Sequence, residues 1–474
     1  MKPLTLKNLA DIIDACVIGG SHAIRDTQYA IRVSTDSRSV NPGDCFFAIK
    51  GDNFDGHNFI EDAFAKGALC AVVEKDISPD QFPDRVILKV DDTVKALGQL
   101  AAWYRSDCNF KVIAITGSVG KTTTRQILYA VLGRRFRVHQ SPKNYNNFVG
   151  LPLSILSASP DDEVLILELA TNKPGEIEYL SKIASPDIAI ITNVHPAHLA
   201  GFGSVENIAV EKLDICTGLR PSGKLIINSE CQTLLDAAKA ANLSFRTFST
   251  NDADYRAGEV SIGPLTSSFT IDDVTVSLPL PGRGNVENAL AAWSVCSLLG
   301  ISASDFADAA KTISAVSMRT ELLQLGPLTV INDCYNANPA SMKNALDILT
   351  SLAAGQNRHS VFICGDMAEL GDSAQSLHRQ LGRDITQANV QLLITVGPLA
   401  ALAAESAKIT QTHCFADSTE LCDNLRNLIK DADIILVKGS RINKLELVVD
   451  KLKEFFCASR TGNGARGAGH IRQK

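Results

Sequence analysis

Short apolar, β-prone runs recur along the chain, and stretches with apolar residues at helical spacing lie between them. Residues 111–116, 163–169, 188–192 and 224–228 read as strands with helices in the intervals. The same alternation returns at 329–332, 360–364, 392–396 and 434–438. Such alternation predicts mostly parallel sheets covered by helices on both faces. Before residue 109 a smaller block is expected. It has a helical pattern at Leu6, Leu9, Ile12 and Ile13, strands at 45–49 and 71–73, and a helix over 60–66 closed by Gly67. Residues 257–280 alternate apolar and polar with β-branched residues, which predicts an antiparallel appendage. The expected fold class is α/β in three domains: a small one over 1–108, a central parallel sheet over 109–317 and a Rossmann-like unit over 318–456. Residues 457–474, rich in Gly and Arg, read as a disordered basic tail.

Composition narrows this picture a little. A length of 474 residues suits several domains at about 150 residues each. A net charge of −6 argues against a duplex-DNA partner, which calls for a basic face. No uninterrupted apolar stretch reaches the roughly 18 residues a membrane span requires. The twelve cysteines are scattered with no C-x-x-C pair, so neither a zinc site nor a disulfide framework is indicated. Together with an N-terminus lacking an apolar signal region, this predicts a cytoplasmic protein. G-x-G-x-x-G is absent from the last domain, so NAD is not expected there.

Candidate chemistry centres on Gly117-Ser118-Val119-Gly120-Lys121-Thr122-Thr123. It follows a strand and opens a helix, the context of a phosphate-binding loop. Helix-start N–H groups would face phosphate oxygens, Lys121 would reach the β/γ-phosphates, and the Thr122 hydroxyl would hold Mg²⁺. The spacing is shorter than G-x-x-x-x-G-K-[ST], with Ile115 at the first Gly position. Glu168 ends a buried strand of the same domain. It reads as a Mg²⁺ ligand or as an ordinary strand-end acid. His198, in a loop after the next strand, serves equally well as ligand or structural donor. Lys212 lies in a helical stretch and by itself reads as a solvated lysine. Asn144 and Asn147 offer amide groups beside an apolar turn, or simply turn chemistry. Asn285 is a reasonable helix N-cap, with Asn288 one turn on. In the last domain Arg319 lies just before the first strand, and Asp333, Tyr335 and Asn336 follow it. Gly365–Gly371 and Ser440 follow later strands, so these polar groups share one sheet edge.

Taken together, the Gly117–Thr122 loop, Glu168, the Ala197-His198 loop and Lys212 resemble the Mur ligase family. Thr35-Asp36-Ser37-Arg38, Asp55-Gly56-His57, Tyr335-Asn336-Ala337-Asn338-Pro339, Gly365-Asp366-Met367-Ala368-Glu369-Leu370-Gly371 and Lys438-Gly439-Ser440-Arg441 are similar to signatures of the member that uses D-alanyl-D-alanine. The resemblance runs in order from about residue 30 to 456. It implies ATP-dependent ligation of D-alanyl-D-alanine to UDP-N-acetylmuramoyl-tripeptide through an acyl phosphate, a step of peptidoglycan synthesis. It implies catalytic roles for Lys121, Glu168, His198 and Lys212. Metal contacts would come from Thr122, Glu168, His198 and a carbamylated Lys212, with ATP and Mg²⁺ (two ions) as cofactors. It assigns nucleotide contacts to Gly117–Thr123, Asn285, Asn288, Arg319 and Asp333. Substrate contacts are implied for Thr35–Arg38, Asn144, Asn147, Tyr335, Asn336 and Ser440, in a monomer. For Lys212 the resemblance reverses the reading made from the residue alone.

Overall fold

The computed structural model describes residues 3–19, 29, 31–142, 144–409 and 411–457. The expected tail therefore lies outside the described residues, except Cys457, which closes the helix Glu446–Cys457.

The pattern of apolar runs is realised as three parallel-rich sheets and one antiparallel appendage. The first sheet orders its strands as Cys16–Ile18, Val86–Lys89, Cys70–Val73, Cys45–Phe47, Val33–Ser34, with only the Cys16 edge antiparallel. The central sheet has seven parallel strands. Lys111–Thr116 lies inside it, between Val164–Glu168 and Ile188–Ile191. Both neighbours and the strand itself are almost wholly buried, which is why they read as continuous apolar runs rather than alternating ones. The register pairs Ile115 with Glu168, so the phosphate loop and the carboxylate leave the sheet at the same edge. Residues 258–278 form the antiparallel appendage.

The last sheet orders Glu321–Leu325, Leu328–Asn332, Ile434–Lys438, Ser360–Gly365, Leu392–Val396, Thr412–Phe415. Its first strand is an antiparallel edge absent from the sequence reading. Glu321–Leu325 is half exposed and too short to show its period. Val138–Gln140, Phe245–Ser249 and Thr412–Phe415 were hidden for the same reason.

Helix Thr93–Asp107 joins the first sheet to the central one. Asp92 caps it, accepting from the N–H groups of Val94 and Lys95. Near its other end Arg105 is 1% exposed. Its guanidinium donates to the carbonyls of Ala184 and Ser185 at 3.1 and 3.0 Å, and pairs with Asp187 at 3.0 Å. Asp187 in turn accepts from the N–H of Val112, at the start of the strand that leads to the phosphate loop. Removing one member of a buried pair leaves the other uncompensated. Arg105→Ala is therefore expected to destabilise the protein by about 3 kcal/mol, read as a shift in the urea unfolding midpoint.

Candidate active site

The turn after Lys111–Thr116 is built around two glycines. Gly117 has φ +147° and Gly120, which caps helix Lys121–Leu132, has φ +90°. A Cβ on Gly117 would stand 1.9 Å from Thr192 Oγ1, and one on Gly120 2.0 Å from Asn288 Oδ1. Only glycine fits either place. The neighbouring loop holds the turn in shape. Asn193 accepts from the N–H groups of Ser118 and Val119, and Thr192 Oγ1 donates to the Val119 carbonyl. Two of the loop amides are thus occupied within the protein. The N–H groups of Lys121, Thr122 and Thr123 have no intrahelical acceptor and are free to face an anion, because Thr124 makes the first i→i−4 bond to Gly120. The Lys121 ammonium donates to the Gly117 carbonyl at 2.6 Å, across the mouth of the turn.

Glu168 lies directly behind the helix start and is 2% exposed. Thr122 donates its hydroxyl to one carboxylate oxygen at 3.2 Å, and Arg125 pairs with the other at 2.9 Å. Arg125 is one helical turn after Lys121, on the same face. Burial lowers the pKa of Lys121 to about 8, against the attraction of Glu168 and with Arg319 pushing the same way as burial. Lys121 and Arg125 thus feel one carboxylate, with Arg319 close enough to repel both, and the surplus positive charge suits polyphosphate.

Two oxygen donors, the Thr122 hydroxyl and Glu168, stand side by side at this point. That is the donor chemistry Mg²⁺ prefers, since it keeps waters and phosphate oxygens as its other ligands. Among the described residues no three His, Cys, Asp or Glu side chains form a ready-made cage, which a site of this kind does not need. Lys212 is 3% exposed, in the last turn of helix Val205–Leu213, and so is no solvated helix-face lysine. Burial first, then Lys121, lowers its pKa to about 7 against the pull of Glu211. Lys121 and Lys212 also depress His198, whose pKa is lowered chiefly by burial. Lys121 is thus linked by charge to Glu168, His198 and Lys212.

The last sheet supplies the facing wall. Met318 and Thr320 adopt left-handed φ of +60° and +51°, and the Thr320 N–H donates to Asp333 at 3.1 Å. The guanidinium of Arg319 lies 4.1 Å over the ring of Tyr335. Lys438, fully buried at a strand end, pairs with Asp333 at 2.7 Å and donates to the Asn336 carbonyl at 2.9 Å. A cavity of about 700 Å³ opens between the two sheets. Ser118–Thr123, Asn147, Glu168, His198, Asn285, Asn288, Arg319, Asp333, Tyr335 and Asn336 line it.

Some expected residues fall elsewhere. Asn285 is not an N-cap. Helix Arg283–Leu298 starts two residues earlier behind Gly282, and the Asn285 amide donates back to the Pro281 carbonyl at 2.7 Å. Gly282, at φ +96°, turns the chain into the helix before Asn285 is reached. Ser440 is 2% exposed and does not line the cavity; its hydroxyl accepts from the N–H of Ala368, holding the 366–368 loop. Asn144 is exposed outside the cavity lining. Asn147 lines it but also accepts from the N–H of Gly150 as turn chemistry. Thr35–Arg38 follow the edge strand Val33–Ser34 of the first sheet and run into the short helix Ser37–Ser39, outside the lining of this cavity, with Arg38 paired to Asp36 at 2.8 Å. His57 is held at both ring nitrogens, by Asp55 and by the Glu74 N–H. Sequence reasoning assigned no role to Arg125, Asn193, Glu369 or Lys438. Arg125 could have been found from its i+4 spacing to Lys121. Lys438 was legible as a cation ending an apolar run.

Three family models match in chain order: "Mur ligase family, catalytic domain" over residues 32–105, "Mur ligase middle domain" over 115–296, and "Mur ligase, glutamate ligase domain" over 318–441. The UDP-N-acetylmuramoyl-tripeptide–D-alanyl-D-alanine ligase of Bacillus subtilis is 35% identical over 95% of this chain and 98% of its own length. The Escherichia coli protein of the same name is 32% identical over 96% and 99%. Among solved structures, MurF from Acinetobacter baumannii superposes with a TM-score of 0.87 at 33% identity, covering 96% of this chain and 99% of that one. MurF from Thermotoga maritima in complex with ADP gives 0.80 at 28% identity, covering 90% and 98%. With relatives this similar along nearly its whole length, the chain belongs to the Mur ligase family.

Proposed function

We infer that the chain is an ATP-dependent amide-bond-forming ligase that joins D-alanyl-D-alanine to UDP-N-acetylmuramoyl-tripeptide in peptidoglycan synthesis. The observation that carries this reading is one cavity walled by a phosphate loop on one side and a polar sheet edge on the other. A carboxylate is a poor electrophile. Its oxygen attacks the γ-phosphorus of ATP, ADP leaves, and the acyl phosphate so formed has a leaving group. The amine of D-alanyl-D-alanine then attacks the acyl carbon, and phosphate departs as the amide bond forms. Lys121 and the helix N-terminus hold the phosphates while the two anions approach. Arg319 and Lys438 bring positive charge from the opposite wall. A site closed between two domains keeps water from the acyl phosphate.

Thr122 and Glu168 would hold Mg²⁺, which when bound would screen the charge of the phosphates. Buried Lys212, as the neutral amine, would react with CO₂, an N–C bond forming and a proton leaving, and Glu168, His198 and that carbamate are the groups that would hold a second ion. Asn285 and Asn288 are assigned to the adenine side, and Arg319 and Asp333 to phosphate and ribose. Tyr335 and Asn336 are assigned to the acceptor dipeptide. Thr35–Arg38 take the UDP end, beside the Lys66 ammonium, which donates to the carbonyl of Ser37. Domain limits at 108, 317 and 456, a monomer and a cytoplasmic setting complete the proposal. No described helix is long and apolar enough to cross a membrane.

The test is a product assay with ATP, D-alanyl-D-alanine and UDP-N-acetylmuramoyl-tripeptides carrying lysine or diaminopimelate, read by mass. The expected result is one pentapeptide product, formed with stoichiometric ADP and phosphate only when both substrates are present. Steady phosphate release without an amine acceptor would point instead to a nucleotide-dependent regulator.

A further inference from the structure

Where the central and last sheets face each other, the short helix Leu199–Phe202 meets the loop 366–371. The Ala200 N–H donates to the Glu369 carbonyl at 3.1 Å. Gly371, at φ +55°, packs so close that a Cβ would stand 3.2 Å from the Ala200 Cα. Beside this contact the Glu369 carboxylate reaches across to Nδ1 of His198. Both residues are in the left-handed region, His198 at φ +55° and Glu369 at φ +64°. Non-glycine residues adopt that region seldom, and the surrounding structure must hold them there. Two of them meeting side chain to side chain from different domains is a built contact.

Its chemistry has one direction. A carboxylate in ion-pair contact with Nδ1 favours by its charge a proton on that nitrogen, restricts the ring, and leaves the Nε2 lone pair for a cation. His198 lines the cavity that holds Thr122 and Glu168, and Glu369 lines it from the other wall. We propose that Glu369 is a positioning residue that orients the His198 imidazole toward a divalent cation. The inference rests on the proposed reading of His198 as a metal-side residue. It adds that the metal site is completed by a carboxylate from the last domain, and so is fully formed only when that domain is in contact with the central one.

The test uses the full chain, Mn²⁺ as probe and ADP present, with free Mn²⁺ read by electron paramagnetic resonance. Glu369→Gln and Glu369→Ala are each combined with His198→Ala. Glu369 is 53% exposed at its side chain, so these variants are expected to fold, which a thermal melt checks. Each Glu369 variant should weaken Mn²⁺ binding by about tenfold. Neither should weaken it further once His198 is Ala. Parallel kinetics should show kcat falling while KM for D-alanyl-D-alanine stays put. Unchanged Mn²⁺ affinity in Glu369→Ala overturns the proposal, and so does an equal loss in both backgrounds, which would mean a role independent of His198. Should His198→Ala bind Mn²⁺ as tightly as the parent, the metal reading of His198 itself fails and takes the positioning role with it.

Discussion

Lys121→Ala is expected to lower kcat by about 10³-fold, the scale on which a single preorganised charge at a reacting oxyanion acts. The ammonium sits where the loop narrows, 2.6 Å from the Gly117 carbonyl. With burial holding its pKa near 8, part of the folded population is uncharged around neutral pH. An arriving polyphosphate restores the proton, because a nearby anion stabilises the charged amine. The charge is therefore in place on the phosphates before the γ-phosphoryl group is transferred. Stability should not suffer, since burial disfavours the lysine charge in the free protein. Steady-state kinetics and a urea melt on the same preparation separate the two effects. A variant that ligates at near-parental rate would remove the phosphate-loop assignment. A variant that melts early would show instead that the Gly117 contact holds the turn.

Most of this site was legible because parallel sheets concentrate it. Each buried strand announces itself as an apolar run, and the residue that ends the run faces the ligand edge. Glu168, Asp333 and Lys438 could all be placed in that way. Lys212 could not: on a helix its environment depends on what packs above it, and periodicity alone left it on the surface. Asn285 misled for a related reason. Asparagine is favoured at helix starts, and nothing local shows that Gly282 has already begun the turn. Contacts between distant segments were wholly hidden. Arg105 with Asp187, Thr192 with Val119, and His198 with Glu369 join residues that no local pattern links. The short exposed edge strands stayed out of reach because too few residues carry their alternation.

Lys212→Ala should be inactive, and a short carboxylic acid such as acetate or formate should restore a measurable part of the rate. An amine 3% exposed, facing Lys121, is costly to keep charged, and its pKa falls to about 7 from an ordinary 10.5. The unfolded chain binds that proton below 10.5 and the folded chain only below about 7. Between those values the unfolded state holds more protons, so this group makes stability rise with pH across the window. A buried lysine with this cost needs a compensating use. On the proposed reading the neutral form reacts with CO₂, and the carbamate would turn an unwelcome cation into an anion beside Lys121 and His198. At fixed dissolved CO₂, activity should then climb from pH 6 to 8 in step with the neutral fraction. Lys212→Ala abolishes that rise, and added acetate supplies an anion that needs no deprotonation, so rescued activity should be flat over the same range. Mass spectrometry under CO₂, after trapping the carbamate as a stable alkyl ester, should find the added group on Lys212. A fully active Lys212→Ala enzyme would leave the burial unexplained and rule out the carbamate. An inactive one that no carboxylate rescues would reduce Lys212 to a packing residue of the helix Val205–Leu213.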